Sequence, residues 1–211
     1  MHSVRRRLTE GIAQRSTNRD RGLNTMTSFK LWVIRMVLPT VFLISGTLNG
    51  DVMIDDFEAG SNVDWDYFSD QVMGGVSEGS ASLGRDEKEA YAHMIGDVST
   101  ANNGGFIQLR TSLRSGADKN TTGVFIKVRG NNQKYYIHLR TRGTILPWQY
   151  YQGAFDATEE WQLVRLPLDA FEASGSWLRK TPAPTSIRSI GVVAYGRDHK
   201  ADIQISEIGF Y

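Results

Sequence analysis

From residue 51 onward, apolar and polar residues alternate at a spacing of two, and no stretch sustains the 3.6 spacing of an amphipathic helix. That alternation limits the chain to strands with one buried face. In Val124-Phe-Ile-Lys-Val-Arg129 one face reads Val124, Ile126 and Val128, and in Lys134-Tyr-Tyr-Ile-His-Leu-Arg140 it reads Tyr135, Ile137 and Leu139. Gly130-Asn-Asn-Gln133 between them has the chemistry of a hairpin loop. Pairing the two strands through that loop sets Val128 against Tyr135, Ile126 against Ile137 and Val124 against Leu139 as a core row. Phe125, Lys127, Tyr136 and His138 then fall together on the opposite face. Further strands are expected at 53–57, 90–98, 105–111, 161–166, 187–195 and 201–211, with a proline-bounded loop at Thr181-Pro-Ala-Pro-Thr185. Antiparallel segments of this length and number predict an all-β, two-sheet sandwich.

The chain has 211 residues and a formal charge of +1, but the charge is unevenly placed. Residues 1–50 carry eight Lys/Arg against Glu10 and Asp20, leaving sixteen basic and twenty-one acidic side chains in 51–211, a net of −5. A mildly acidic body argues against nucleic acid as a partner. Residues 1–50 read as a leader and 51–211 as one β-sandwich domain. Within the leader, Met36-Val-Leu-Pro-Thr-Val-Phe-Leu-Ile44 follows Lys30 and Arg35 and precedes Ser45-Gly-Thr47, a signal-peptide layout from Met26 to residue 50. Residues 1–25 then read as a misannotated extension. The run is shorter than the roughly 20 apolar residues of a spanning helix, so membrane contact is expected to be transient. Export to a periplasm or cell envelope is the expected localisation. The six arginines of residues 1–25 make a mitochondrial address the alternative. The chain has no cysteine, which excludes disulfides and thiolate chemistry.

Gly74 and Gly75 supply a tight turn or a close backbone approach. Their spacing matches neither a P-loop nor a dinucleotide fingerprint. Ser77 sits in a Gly-x-Ser-x-Gly string but lacks the strand-turn-helix context of a nucleophile elbow. Asp55 and Asp56 are strand neighbours and point to opposite faces, so they cannot form a glycosidase pair. His93, His138 and His199 lie in separate segments without metal-ligand spacing. No catalytic residue, metal site or cofactor is therefore expected, apart from a structural Ca²⁺ held by an N-terminal carboxylate and Glu207. Pro147-Trp-Gln-Tyr-Tyr-Gln152 concentrates Trp148, Tyr150 and Tyr151 among amides, which suits core packing, a protein partner or a glycan. The candidate binding residues are Phe125, Lys127, Tyr136, His138, Trp148, Tyr150 and Tyr151.

One set of residues extends this reading. Trp65, Asp70-Gln-Val-Met-Gly-Gly-Val-Ser-Glu-Gly79, Asn103-Gly-Gly-Phe-Ile-Gln-Leu-Arg110 and Val128-Arg-Gly130 with Tyr135 come first. Tyr150-Tyr-Gln152, Phe155, Trp161, Leu166-Pro-Leu168, Phe171 and Ile205-Ser-Glu-Ile208 follow in order. Over residues 53–211 this pattern resembles the complex I intermediate-associated protein 30 family. The resemblance implies a galactose-binding-domain-like jelly roll without established catalytic activity, in which Trp65, Asp70, Gly74, Gly75, Ser77, Gly104 and Gly105 form the structural motif. The expected function is a non-catalytic binding domain acting as a protein-assembly or chaperone-like factor on a protein partner. A carbohydrate-binding module of the cell envelope is the alternative, and a cryptic hydrolase the remote one.

Overall fold

A computed structural model describes residues 50–211. The expected leader, with the extension expected at 1–25 and the signal-like segment expected at 26–50, lies outside the described residues apart from Gly50. Twelve strands follow in order: β1 (Val52–Asp55), β2 (Trp65–Ser69), β3 (Glu78–Arg85), β4 (Ala90–Val98), β5 (Phe106–Ser112) and β6 (Gly123–Gly130). Then come β7 (Gln133–Thr141), β8 (Tyr151–Ala157), β9 (Gln162–Pro167), β10 (Glu172–Ala173), β11 (Ile187–Tyr195) and β12 (His199–Phe210). Sheet one has the order β3-β4-β12-β6-β9 with β1 added along β12, and sheet two the order β10-β8-β7-β11-β5-β2. All pairings are antiparallel. The result is the expected jelly-roll sandwich.

Alternation places one row of each strand in the shared core. Val124, Ile126 and Val128 of β6 and Tyr135, Ile137 and Leu139 of β7 are each fully buried. Burying a side chain of this size contributes roughly 1.5–3 kcal/mol; the alternation repeats along β4 and the first half of β12, whereas β11 is buried at consecutive positions from Ser189 to Ala194.

The hairpin is a correction. β6 pairs with β12 and β9, while β7 pairs with β11 and β8, so the two strands belong to opposite sheets. The Gly130–Gln133 turn crosses the sandwich instead of closing a ladder. Its Asn131 Nδ2 donates to the Lys200 carbonyl, and the Tyr135 hydroxyl donates to Asn131 Oδ1 while accepting the Asp202 N–H. These bonds fasten the turn to β12. The two apolar rows do face the core, but from either side of it, so Phe125 and Lys127 lie on the outer face of sheet one and Tyr136 and His138 on the outer face of sheet two.

Candidate functional site

On the outer face of sheet two, Phe106, Gln108 and Arg110 of β5, Val193 and Tyr195 of β11, and His138 and Arg140 of β7 floor a groove of about 370 Å³. Val72 and Met73, 70% and 66% exposed, form one wall, and Pro147 with the 67%-exposed Trp148 forms the other. Gly191 lies in the floor because a Cβ there would sit 2.2 Å from Gln108 Nε2, so only glycine lets that amide lie across β11. No carboxylate lines the groove.

Four rings organise its centre. His138 stacks on Tyr150 at 4.0 Å between centroids with planes 10° apart, and meets Tyr195 edge-on at 5.7 Å. The Tyr150 hydroxyl donates to the Tyr195 hydroxyl at 3.2 Å, and Tyr136 meets Tyr195 edge-on. Burial pushes the His138 imidazole down to about 4, only partly offset by the Gln152 bond. The ring is therefore neutral at physiological pH, and its Nε2–H donates to Gln152 Oε1 at 2.9 Å. Burial, then the bond to Tyr195, raises the Tyr150 phenol far from its ordinary range. These groups present shape and fixed hydrogen-bond directions, not labile protons.

The corner holding the wall is built around Asp70, whose side chain is fully buried. Its Oδ1 accepts the Ser77 N–H at 2.9 Å, and its Oδ2 accepts the Ser77 hydroxyl and the N–H groups of Gly105 and Phe106. Burial raises the carboxyl pKa, but the backbone and hydroxyl donors outweigh it and hold the group below the ordinary carboxylate range. A Cβ at Gly75 or Gly104 would lie 2.3 or 2.4 Å from Asp70 side-chain atoms. Gly74 and Gly105 take φ of +89° and +125°. The two glycine pairs thus each combine a left-handed turn with room for one buried carboxylate. Trp65 holds the neighbouring corner by donating its Nε1–H to Asp55 Oδ2 at 2.7 Å. A wider hollow of about 840 Å³ opens beside it, lined by Phe57, Trp65, Ala92 and Leu109. Its buried Asp55 is already bonded to that indole and to the Phe57 N–H, so the aromatic groove is the better candidate.

Of the residues singled out in the sequence, Tyr136, His138, Trp148 and Tyr150 gather at or beside the groove. Three do not. Phe125 is only 2% exposed, its ring packed over Gly209 beneath the Arg165 guanidinium. Lys127 is ion-paired with Glu89 and Glu207 on sheet one. Tyr151 lies on the core face of β8 and is 2% exposed. Glu207 is thereby tied to a lysine. Among the described residues no group of three or more His, Cys, Asp or Glu side chains is placed to hold a metal.

Sequence reasoning missed Phe68, Val72, Met73, Gln108, Arg110, Arg140 and Tyr195. The available signal was the alternation of β5, where Phe106, Gln108 and Arg110 share the face opposite Ile107 and Leu109.

The fold and the groove define a galactose-binding-like jelly roll. Residues 56–206 match the model of the complex I intermediate-associated protein 30 (CIA30) family, and the chain belongs to that family. No curated protein matches the sequence. Among solved structures, the chain is similar to a family 11 carbohydrate-binding module of a cellulosomal cellulase of Clostridium thermocellum. That match has 15% identity and a TM-score of 0.61 and covers 76% of this chain and 94% of that one. A family 11 module from the same organism in complex with a β-1,3-1,4-mixed-linked tetrasaccharide matches with 15% identity and a TM-score of 0.61, covering 76% and 95%. A family 30 carbohydrate-binding module of another C. thermocellum cellulosomal cellulase matches with 14% identity and a TM-score of 0.55, covering 76% and 96%. These likenesses show a shared fold.

Proposed function

We propose that this domain is a non-catalytic binding module that takes a glycan along the groove of sheet two. The observation that carries the reading is the groove's combination of ordered rings, the exposed Trp148 face and the Gln108 amide. Flat rings cover apolar sugar faces, and fixed amides meet hydroxyls. The solved neighbours named as carbohydrate-binding modules support it at the level of fold. Catalysis has little to work with there. A glycosidase uses two carboxylates and the groove is lined by none. Ser77 is fully buried with its hydroxyl bonded to Asp70, away from any substrate. We place the role outside the cytoplasmic membrane on the strength of the leader, which N-terminal sequencing of the mature protein checks.

Screening on a glycan array, followed by calorimetry, tests the reading. Trp148→Ala should weaken binding at least tenfold, about 1.4 kcal/mol, with the β circular dichroism spectrum unchanged. Absence of any glycan ligand for the wild type overturns it. The second reading, a protein-assembly factor, is favoured by the exposed aliphatic side chains of Val72, Met73 and Ile145 near the groove and by the family's description. Under that reading Val72→Asp with Met73→Asp abolishes capture of a host protein while glycans remain unbound.

A further inference from the structure

Among the described residues, every ion pair belongs to the sheet-one side: Arg85 with Glu58, His93 with Asp202, Lys127 with Glu89 and Glu207, Arg129 with Asp86, Arg165 with Asp51, and Lys200 with Asp97. On sheet two, Arg110, Arg140 and Arg188 together line a hollow that continues the groove, with Ser112, Thr144 and Ser189, and none of the three has a carboxylate partner. Arg110 lies with its guanidinium 4.6 Å above the Phe68 ring. Arg140 donates to the Thr144 and Leu146 carbonyls, which fixes its fork. Burial and then the Arg110 charge pull the Arg140 pKa down, as expected for like charges held together. Asp66 stands opposite Arg110 in the β2–β5 register, but no ion pair joins them.

Cations left unpaired side by side on a domain of net charge −5 call for an anion from outside. Arg110 and Arg140 stand on the strands either side of β11, at the levels of Gly191 and Ser189. Two strand spacings and a two-residue offset separate their Cα atoms by roughly 12 Å. Between them the Gln108 amide lies across Gly191, and the small Ser189 side chain lines the hollow beside it. Resting on the glycan reading, we infer that the ligand is an anionic glycan, whose carboxylate or sulfate groups are gripped by these guanidiniums while its rings lie against the aromatic part of the groove. Guanidinium forks match planar carboxylates and sulfate oxygens bidentately. An acidic peptide fits less well. An extended peptide binds by adding to a free strand edge, and the floor strands β5, β11 and β7 are interior strands already paired on both sides.

The test titrates the protein with four probes of similar length: oligogalacturonate, a sulfated oligosaccharide, a neutral β-glucan oligosaccharide and oligoglutamate. Variants Arg110→Gln and Arg188→Gln are the mutants of choice because neither side chain makes a protein hydrogen bond, and thermal melting checks their folding. The expected result is binding of one or both acidic glycans at least tenfold tighter than the neutral one. That preference should fall with rising salt and be lost in the double variant, while Trp148→Ala weakens all glycans alike. Which acidic probe binds identifies carboxylate or sulfate as the recognised group. Equal binding of the neutral glucan overturns the anionic inference and leaves the glycan reading standing. Oligoglutamate binding as tightly as the acidic glycans overturns the choice of a sugar. No binding to any glycan defeats both readings.

Discussion

The two outer faces of the sandwich differ in how they satisfy their charges. On sheet one, Lys127 sits 2.5 Å from Glu89 and 3.3 Å from Glu207, and Arg129 is 3.1 Å from Asp86 with its guanidinium over the Trp161 ring. Arg165 lies over Tyr211 and pairs with Asp51. On sheet two, Arg110 and Arg140 meet rings and carbonyls but no carboxylate. A face whose charges are already matched by its own chain has little left to offer a partner. One whose cations and rings are positioned but unmatched retains binding capacity. Both inner faces are apolar and buried, so the asymmetry in charge lies in the outer side chains.

The comparison can be broken most severely from inside. Ile126→Ala and Ile137→Ala, from the cores of sheets one and two, should each destabilise the fold by about 2–5 kcal/mol in denaturant titration. A loss confined to one variant would mean that the two rows do not share one core. Next is acid. His138 has a folded pKa near 4 against an ordinary 6.5, so below pH 6.5 the unfolded chain takes up a proton that the folded chain refuses. Stability should be unaffected above about pH 7 and decline as pH falls from 6.5 towards 4, by up to about 3 kcal/mol. His138→Gln should remove that slope. A slope unchanged in the variant would show that the sheet-two ring cluster is not its source.

The Asp70 corner follows. Its depressed pKa contributes stability that is complete above the unfolded value near 4 and is lost as pH falls below it. Gly75→Val should push the carboxylate off its donors at a cost of about 1–3 kcal/mol, visible as a lower melting temperature. The smallest effect separates the faces directly. Lys127→Ala leaves Glu89 and Glu207 without their cation and should cost about 1 kcal/mol, moderated by partial exposure. Arg110→Ala should change stability by less than about 0.5 kcal/mol, since no carboxylate loses a partner. Equal losses in parallel melts would erase the distinction drawn here.

Alternation in the sequence identified which residues of β6 and β7 face inward, because period two and a buried face are the same fact. It could not identify the partner strand. An apolar row on β6 and another on β7 are satisfied equally by pairing side by side or by meeting across the core, and the Gly130–Gln133 turn allows both. The bonds from Tyr135 and Asn131 to β12 decide it, and they connect residues some 70 positions apart. Strand β3 was invisible because most of its residues are exposed, which removes the apolar half of the pattern. Tyr151 was misread because a strand begins there: Tyr150 faces the groove and its neighbour the core. The ring cluster was half legible, since Tyr136 and His138 alternate onto one face, but Tyr195 and Arg110 reach them only through the strand order of sheet two.

The Asp70 carboxylate joins the short turn carrying Val72 and Met73 to the first residues of β5, and β5 carries Gln108 and Arg110. Wall and floor are therefore bolted to one another through a fully buried side chain. Positions 72 and 73 form an exposed parapet, and exchanging them should alter what the groove admits while leaving the bolt and the core in place. A library randomised at those two positions and at Trp148, with Asp70, Gly75 and Gly104 held fixed, should return folded proteins at high frequency and a spread of ligand preferences.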